Sequence, residues 1–184
     1  STPKPSSAAS DVYKRQDTSF VIRKSTADDE NQIWAILKPI IRSGETYAID
    51  RSSSRKAVLK KWTDKHSKCY VLERNSKVQG LYYIRANHEG GGNHICNCGF
   101  AVLEEKNGRG FGRKLLLHSL KKAKELGFTG MQFNLVVSNN KRAIKLWESE
   151  GFDIIGRIPS AFNHPKNGFT DALIMFKNLI ETKL

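Results

Sequence analysis

No stretch of this sequence strings together the roughly 18 apolar residues that a membrane-crossing helix needs, which excludes a protein spanning the bilayer by helices. Cysteine is scarce: Cys69, Cys96 and Cys98 are three in number, the last two a single residue apart. An odd, closely spaced set is no disulfide framework and fits a reducing compartment, with the cytoplasm as the default location. Acidic residues are the other shortage, 18 against 31 Lys and Arg, leaving a formal net charge of +13. Such a surplus attracts polyanions. The basic residues are spread along the chain, however, with no run interleaved with aromatics. A solvated basic surface is therefore expected, and nucleic acid is not the expected partner.

What is present is ordinary for a globular protein. The 184 residues, 39% hydrophobic and 27% charged, suffice for one sizeable core and are too few to argue for two. Residues 1–18 are rich in Ser, Pro and Ala and lack apolar periodicity. They read as a disordered tail or an expression remnant, and Asp11 and Asp17 count against an organellar targeting peptide. The domain is assigned to 19–184.

Within it, Phe20 to Arg23 reads as an opening strand, and Thr26-Ala27-Asp28-Asp29 as a capping box for a helix carrying Ile33, Ile36, Leu37 and Ile40. Pro39 is expected to disturb the end of that helix. Ser54 is placed to cap a second helix with Val58, Leu59 and Trp62. Strands follow at Cys69–Glu73 and Val78–Arg85 around an Asn75-Ser76-Lys77 turn, and at His94–Leu103 beyond a glycine-rich loop. A long helix from Phe111 ends at Gly127, then come a strand at Met131–Val137, a helix at Lys141–Glu150, and strands at Asp153–Ile158 and Phe169–Phe176. The order β-α-α-β-β-β-α-β-α-β-β predicts an α/β (α+β) domain, a mixed sheet with helices on both faces.

Asn107-Gly108-Arg109-Gly110-Phe111-Gly112 is the strongest local signal. Between a strand and a helix, backbone amides and the positive end of the helix dipole converge there. The glycines let the backbone approach a ligand closely, and Arg109, Arg113 and Lys114 add positive charge, so a pyrophosphate suits the turn. The G-x-G-x-G spacing, and Gln132 and Asn134 where an acidic residue would stand, exclude a dinucleotide fold of the G-x-G-x-x-G kind. A second signal is Asn140 to Phe152, where Ala143 and Trp147 share a helix face and the small residue permits close approach of an extended ligand. His94, Cys96 and Cys98, with His88 nearby, do not have zinc-site spacing and no second pair follows, so no metal is expected.

Together these segments resemble the GCN5-related N-acetyltransferase (GNAT) family over nearly all of residues 20–177. Asn107 to Gly112 is similar to its pyrophosphate loop, (Arg or Gln)-x-x-Gly-x-(Gly or Ala), and Asn140 to Phe152 to the element that lies along the pantetheine arm. Tyr82 to Asn87, Asn97-x-Gly99-Phe100, Gln132 to Val137, and Asn163-His164-Pro165 through Asp171-Ala172 resemble a subgroup of bacterial-type acetyltransferases. The same blocks resemble the yeast enzyme that acetylates proline analogues such as azetidine-2-carboxylate. The resemblance implies a mostly antiparallel sheet with splayed central strands, and an acetyl group moved from acetyl-CoA to a small amine by direct attack in a ternary complex. Amino acids and their analogues are the favoured acceptors. The alternatives are a protein or peptide amine as acceptor, or a catalytically weak nucleic-acid-binding module. A homodimer through the last strands is common in the family.

The resemblance also assigns residues. Val102 and Leu103, the turn Asn107 to Lys114, Asn140, Ala143 and Trp147 would hold the cofactor. The thioester oxygen would be polarised near Asn134 and the Leu135 amide, one such donor being worth ~3 kcal/mol in a transition state. Asn97 would hold a carboxylate or another polar group of the acceptor, Tyr47 and Phe133 would bind the acceptor beside it, and Glu45 is the preferred general base. For Asn134 in mid-strand a turn is excluded and an unpaired amide is costly, which favours a functional role. Two positions depart from the family: Asn107 replaces the usual Arg or Gln, and Trp147 the Tyr that protonates the leaving thiolate in many members. An indole N–H is no useful acid near neutral pH, so that proton must come from elsewhere.

Overall fold

The computed structural model describes residues 20–103 and 109–180. Its elements are β1 (Phe20–Lys24), α1 (Glu30–Ser43), α2 (Arg55–Thr63), β2 (Lys68–Arg74), β3 (Lys77–Ala86), β4 (Ile95–Val102), α3 (Phe111–Glu125), β5 (Gly130–Val137), α4 (Lys141–Ser149), β6 (Asp153–His164) and β7 (Gly168–Asn178). The seven strands form one sheet in the order β1-β2-β3-β4-β5-β7-β6. Every neighbouring pair is antiparallel except β4 and β5. The mixed, mostly antiparallel sheet expected from the sequence is the one observed. No described helix is long and apolar enough to cross a membrane.

The two faces of the sheet carry separate cores because strand side chains alternate. Ile33, Ile36, Leu37 and Ile41 of α1 and Val58, Leu59 and Trp62 of α2 bury against Val71, Val78, Leu81 and Ala101. On the other face Phe111, Leu115, Leu116 and Ala123 of α3 and Ile144 and Trp147 of α4 bury against Tyr82, Ile84, Cys96, Cys98, Met131 and Phe133. Cys96 and Cys98 are thus free thiols inside this second core.

Local signals act where they were expected. Asn75 and Ser76, with φ of 51° and 58°, make the tight turn between β2 and β3. Ser54 Oγ accepts the Ala57 N–H at 3.2 Å and caps α2. Asp29 accepts the Thr26 N–H at 2.7 Å, the reaching-back half of the capping box. Gly127 takes a positive φ of 83° after α3.

Two expectations fail. Pro39 does not disturb the end of α1, which runs on through it to Ser43 and stops at Gly44 in the left-handed conformation. The ring removes one backbone donor, but packing of Ile36, Leu37 and Ile41 holds the helix together. The strand expected to end at Ile158 continues to His164. Its pairing with β7 shifts between Ile158 and Phe162, where Pro159 falls in a bulge and Ser160 has a φ of 52°. β6 is an edge strand, where a missing N–H and a bulge are tolerated.

The start of α1 is tied to the sheet by charge. Asp29 is buried, and its two carboxylate oxygens each accept from Arg23 at 2.8 Å, while Arg23 also reaches Glu73. The hydrogen bonds from Arg23 pull the Asp29 carboxyl from the ordinary 3.8 down to about 2, against a desolvation that raises it. A depressed carboxylate stabilises the fold above its unfolded pKa and loses that contribution as pH falls toward the folded one, a difference of about 2 kcal/mol here. Asp29→Asn is expected to lower the unfolding free energy by about that much at pH 7. The gap between the two proteins should narrow as pH drops from about 4 toward 2 in urea titrations.

Candidate active site

β4 and β5 pair through only three residue pairs, Ile95 with Gly130, Cys96 with Met131 and Asn97 with Gln132. Beyond these, β4 keeps its bonds to β3 and β5 its bonds to β7, but the two part from each other. The pairing of β5 with β7 also shifts register between Phe133 and Val136. The fork widens toward the C-terminal ends of both strands and opens into a cleft of about 900 Å³.

Two side chains manage the backbone groups that the fork orphans. At its vertex the Asn97 amide donates to the carbonyl of Gln132, the last residue of the ladder, at 2.9 Å, and its oxygen accepts from Tyr83 Oη at 3.0 Å. Farther along, the Tyr47 hydroxyl accepts the Phe100 N–H at 2.9 Å and donates to the Phe100 carbonyl at 2.6 Å. Burial pushes the Tyr47 phenol well above its usual range, so it stays protonated and keeps both bonds. Tyr47 is itself set by edge-on contacts between its ring and Trp62, and between Trp62 and Tyr83. Gly99 makes room for Tyr83: a Cβ there would lie 2.4 Å from that ring.

The N-terminus of α3 faces the open end of the fork. Gly110 is its N-cap, with φ 77°, and offers no capping side chain; the first helical bond runs from the Lys114 N–H to the Gly110 carbonyl. Among the described residues the amides of Phe111, Gly112 and Arg113 have no acceptor, the arrangement that suits an anion. A Cβ at Gly112 would meet only Leu146, at an ordinary 3.5 Å, so the space in front of the helix is larger than protein packing needs. Asn140, Ala143 and Trp147 of α4 line the other wall. The Asn140 side chain accepts from the Ala143 N–H at 3.3 Å and caps α4. Trp147 packs its ring on Phe100 and Phe133 at 5.1 and 4.9 Å.

The site residues read from the sequence come together in part. Val102, Leu103, Gly110, Phe111, Gly112, Arg113, Asn140, Ala143, Trp147, Asn97, Tyr47, Phe133, Asn134, Leu135 and Glu45 all line the cleft. Asn107 and Gly108 lie outside the described residues. Arg109 lines a separate groove with Arg74 and Lys77, and Lys114 turns its ammonium onto the Phe20 ring at 4.2 Å, so neither lines the cleft. Arg113 is held by Glu150 and by Ser149 Oγ. Asn134 is exposed rather than buried in an apolar strand, and its amide is bonded to Asn87 at 2.6 Å and Gln132 at 3.0 Å. Glu45 is ion-paired with Lys166 at 2.6 Å. That hydrogen bond holds its carboxyl below the ordinary value, which weakens it as a base.

Comparison with known proteins matches this geometry to a family. The sequence model of the Acetyltransferase (GNAT) family fits residues 29–152, a span that holds the fork, the α3 N-terminus and α4. The chain belongs to that family. N-acetyltransferase aca1 of Schizosaccharomyces pombe is 36% identical over 104 residues, which are 56% of this chain and 50% of that protein. The chain thus spans about half the length of that curated relative. The structure of a GCN5-related N-acetyltransferase from Kribbella flavida superposes with a TM-score of 0.83 at 32% identity, covering 86% of this chain and 97% of that one. The fold is also that of yncA from Salmonella typhimurium, solved with its cofactor acetyl-CoA, with a TM-score of 0.78 at 23% identity over 90% and 97% of the two chains.

In this GNAT site, sequence reasoning missed Trp62, Tyr83, Gly99 and Arg85. Tyr83, Arg85 and Gly99 lie in the blocks Tyr82 to Asn87 and Asn97-x-Gly99-Phe100 that carry the resemblance, and the alternation of β3 puts Tyr83 and Arg85 on one face, but no site role is read for them from the sequence; Trp62 reads only as a residue of the second helix. The two hydrogen bonds between Tyr47 and Phe100 carry a direct consequence. Tyr47→Phe leaves one backbone donor and one acceptor of the fork without that partner, and should lower the stability of the ligand-free protein by about 1–2 kcal/mol in urea unfolding. Unchanged stability would contradict the bridging role.

Proposed function

We propose that this protein moves the acetyl group of acetyl-CoA to the amine of a small molecule, an amino acid or amino-acid analogue being favoured, by direct attack in a ternary complex. The observation that carries the reading is the uncapped N-terminus of α3 opening onto a fork of unpaired strand edges. Acetyl-CoA would supply the phosphates and the activated acetyl thioester. The amides of Phe111, Gly112 and Arg113 would bind the phosphates, and Asn107 and Gly108, shortly before them in the sequence, are proposed to join them. Val102 and Leu103 offer the free edge of β4, along which an amide-bearing arm can bond as an added strand does. Ala143 leaves room on α4, while Asn140 and Trp147 form the wall.

At the reaction centre, Asn134 and the Leu135 amide are proposed to polarise the acetyl carbonyl, and Asn97, Tyr47 and Phe133 to shape the acceptor side. Glu45 keeps its place as the candidate base, but its depressed carboxyl suits an acceptor amine that is already neutral. The Glu45–Lys166 pair ties the loop after α1 to the β6–β7 turn beside the acceptor side of the cleft, which favours a small acceptor over a protein segment. A homodimer through the last strands belongs to the same reading, since edge strand β6 exposes Ile154, Ile155 and Ile158.

Thiol release from acetyl-CoA, followed with a thiol-reactive dye, should appear with proline analogues or other amino acids in preference to polyamines or a histone-like peptide. Asn134→Ala should lose most of it. No release, together with no rise in Tm on adding acetyl-CoA, would sink the proposal. Gly112→Asp separates cradle from fold. A carboxylate in the first turn of α3 complements the helix dipole and fits the space there, so stability should hold. The same charge should weaken acetyl-CoA binding by about tenfold or more, read as a smaller Tm rise.

A further inference from the structure

The acceptor end of the cleft holds a cation that the proposed chemistry has not used. Arg85 lines the cleft and pairs directly across the ladder with Asn97. Its guanidinium lies over the Tyr83 ring, 4.7 Å from the centroid. Among the described residues no carboxylate forms a salt bridge with it. It is half-buried, so its rotamer is steadied by the aromatic face rather than by a counter-ion.

The neighbouring amides cannot take over its task. The Asn97 oxygen accepts from Tyr83 and its nitrogen donates to Gln132, so one N–H remains. Asn134 is bonded to Asn87 and Gln132. The other cations of the cleft stand elsewhere or are engaged: Arg113 by Glu150, Arg142 at the start of α4 on the opposite layer, Lys61 exposed on α2. Nor is Arg85 within reach of the phosphate cradle. From Asn97, its cross-strand partner, to Leu103 the chain advances about 20 Å at strand rise.

We infer that Arg85 binds the carboxylate of the acceptor and so selects small amines that carry one. This rests on the proposed transfer to a small amine and assigns the group that reads the acceptor's charge. A planar guanidinium presents paired N–H donors that match a carboxylate, and the remaining Asn97 N–H lies beside them on the adjacent strand.

The test compares azetidine-2-carboxylate with its carboxamide, using both thiol-release kinetics and calorimetric binding to the CoA-saturated protein. The native protein should prefer the acid. Arg85→Gln should raise both KM and Kd for the acid by about 10- to 100-fold while leaving the carboxamide unchanged, with Arg85→Lys between. Lys61→Gln should alter neither, and all variants should keep the native Tm and its rise with acetyl-CoA. Equal losses for acid and carboxamide in Arg85→Gln would overturn the assignment. So would an acid preference that Lys61→Gln removes, or no preference and no binding of azetidine-2-carboxylate, proline or alanine by the native protein. Loss of thiol release and of the acetyl-CoA Tm rise in the native protein would instead strike the transferase reading itself.

Discussion

Two parallel strands that stop bonding in mid-sheet leave facing rows of backbone donors and acceptors inside a protein, and each unpaired group there costs free energy of order 1–3 kcal/mol. The parting of β4 from β5 after Asn97 and Gln132 is such a place, and much of the site can be understood as an answer to it. Asn97 seals the vertex, Tyr47 bridges the middle, and the helix N-termini of α3 and α4 border the open end. A ligand that is anionic at one end and amide-bearing along its length satisfies both the helix amides and the strand edge. That is a physical reason why the GNAT fold suits acetyl-CoA.

The aromatic residues around the fork form two groups, one per face. Phe100, Phe133, Trp147 and Phe152 pack on the α3–α4 side, with Phe133 stacked on Phe152 at 4.5 Å. Tyr47, Trp62 and Tyr83 stand on the α1–α2 side, and the two tyrosines keep their hydroxyl groups at the fork. The first group makes a stiff, apolar wall. The second presents polar atoms on a rigid frame, next to Arg85 and the bonded amides of Asn87, Gln132 and Asn134. The division puts an apolar wall on one side of the fork and polar atoms on the other.

Element order was readable because each element announces itself locally. Asn75-Ser76 accept the left-handed turn, Ser54 caps, Gly127 stops a helix, and apolar spacing changes from two to near four. Gly110 likewise marks the start of α3, which has no capping side chain. The places where local signals misled are those decided by distant partners. Pro39 stays helical because the packed face of α1 outweighs one lost hydrogen bond. Pro159 stays in a strand because β6 is an edge. Asn134 looked buried among apolar neighbours, yet its side chain is exposed and meets Asn87, 47 residues earlier. Glu45 looked free in its loop, but Lys166 takes its charge. Spacing along a chain cannot reveal a partner brought in by the sheet.

Hydrogen–deuterium exchange read by mass spectrometry, with and without saturating acetyl-CoA, tests the central claim most directly. If the fork and the α3 N-terminus hold the cofactor, peptides covering Phe100–Leu103 and Gly110–Arg113 should gain protection, while those of β1 and β2 at the far edge of the sheet should not change. Protection confined to other parts of the chain, or none at saturation, would contradict the account.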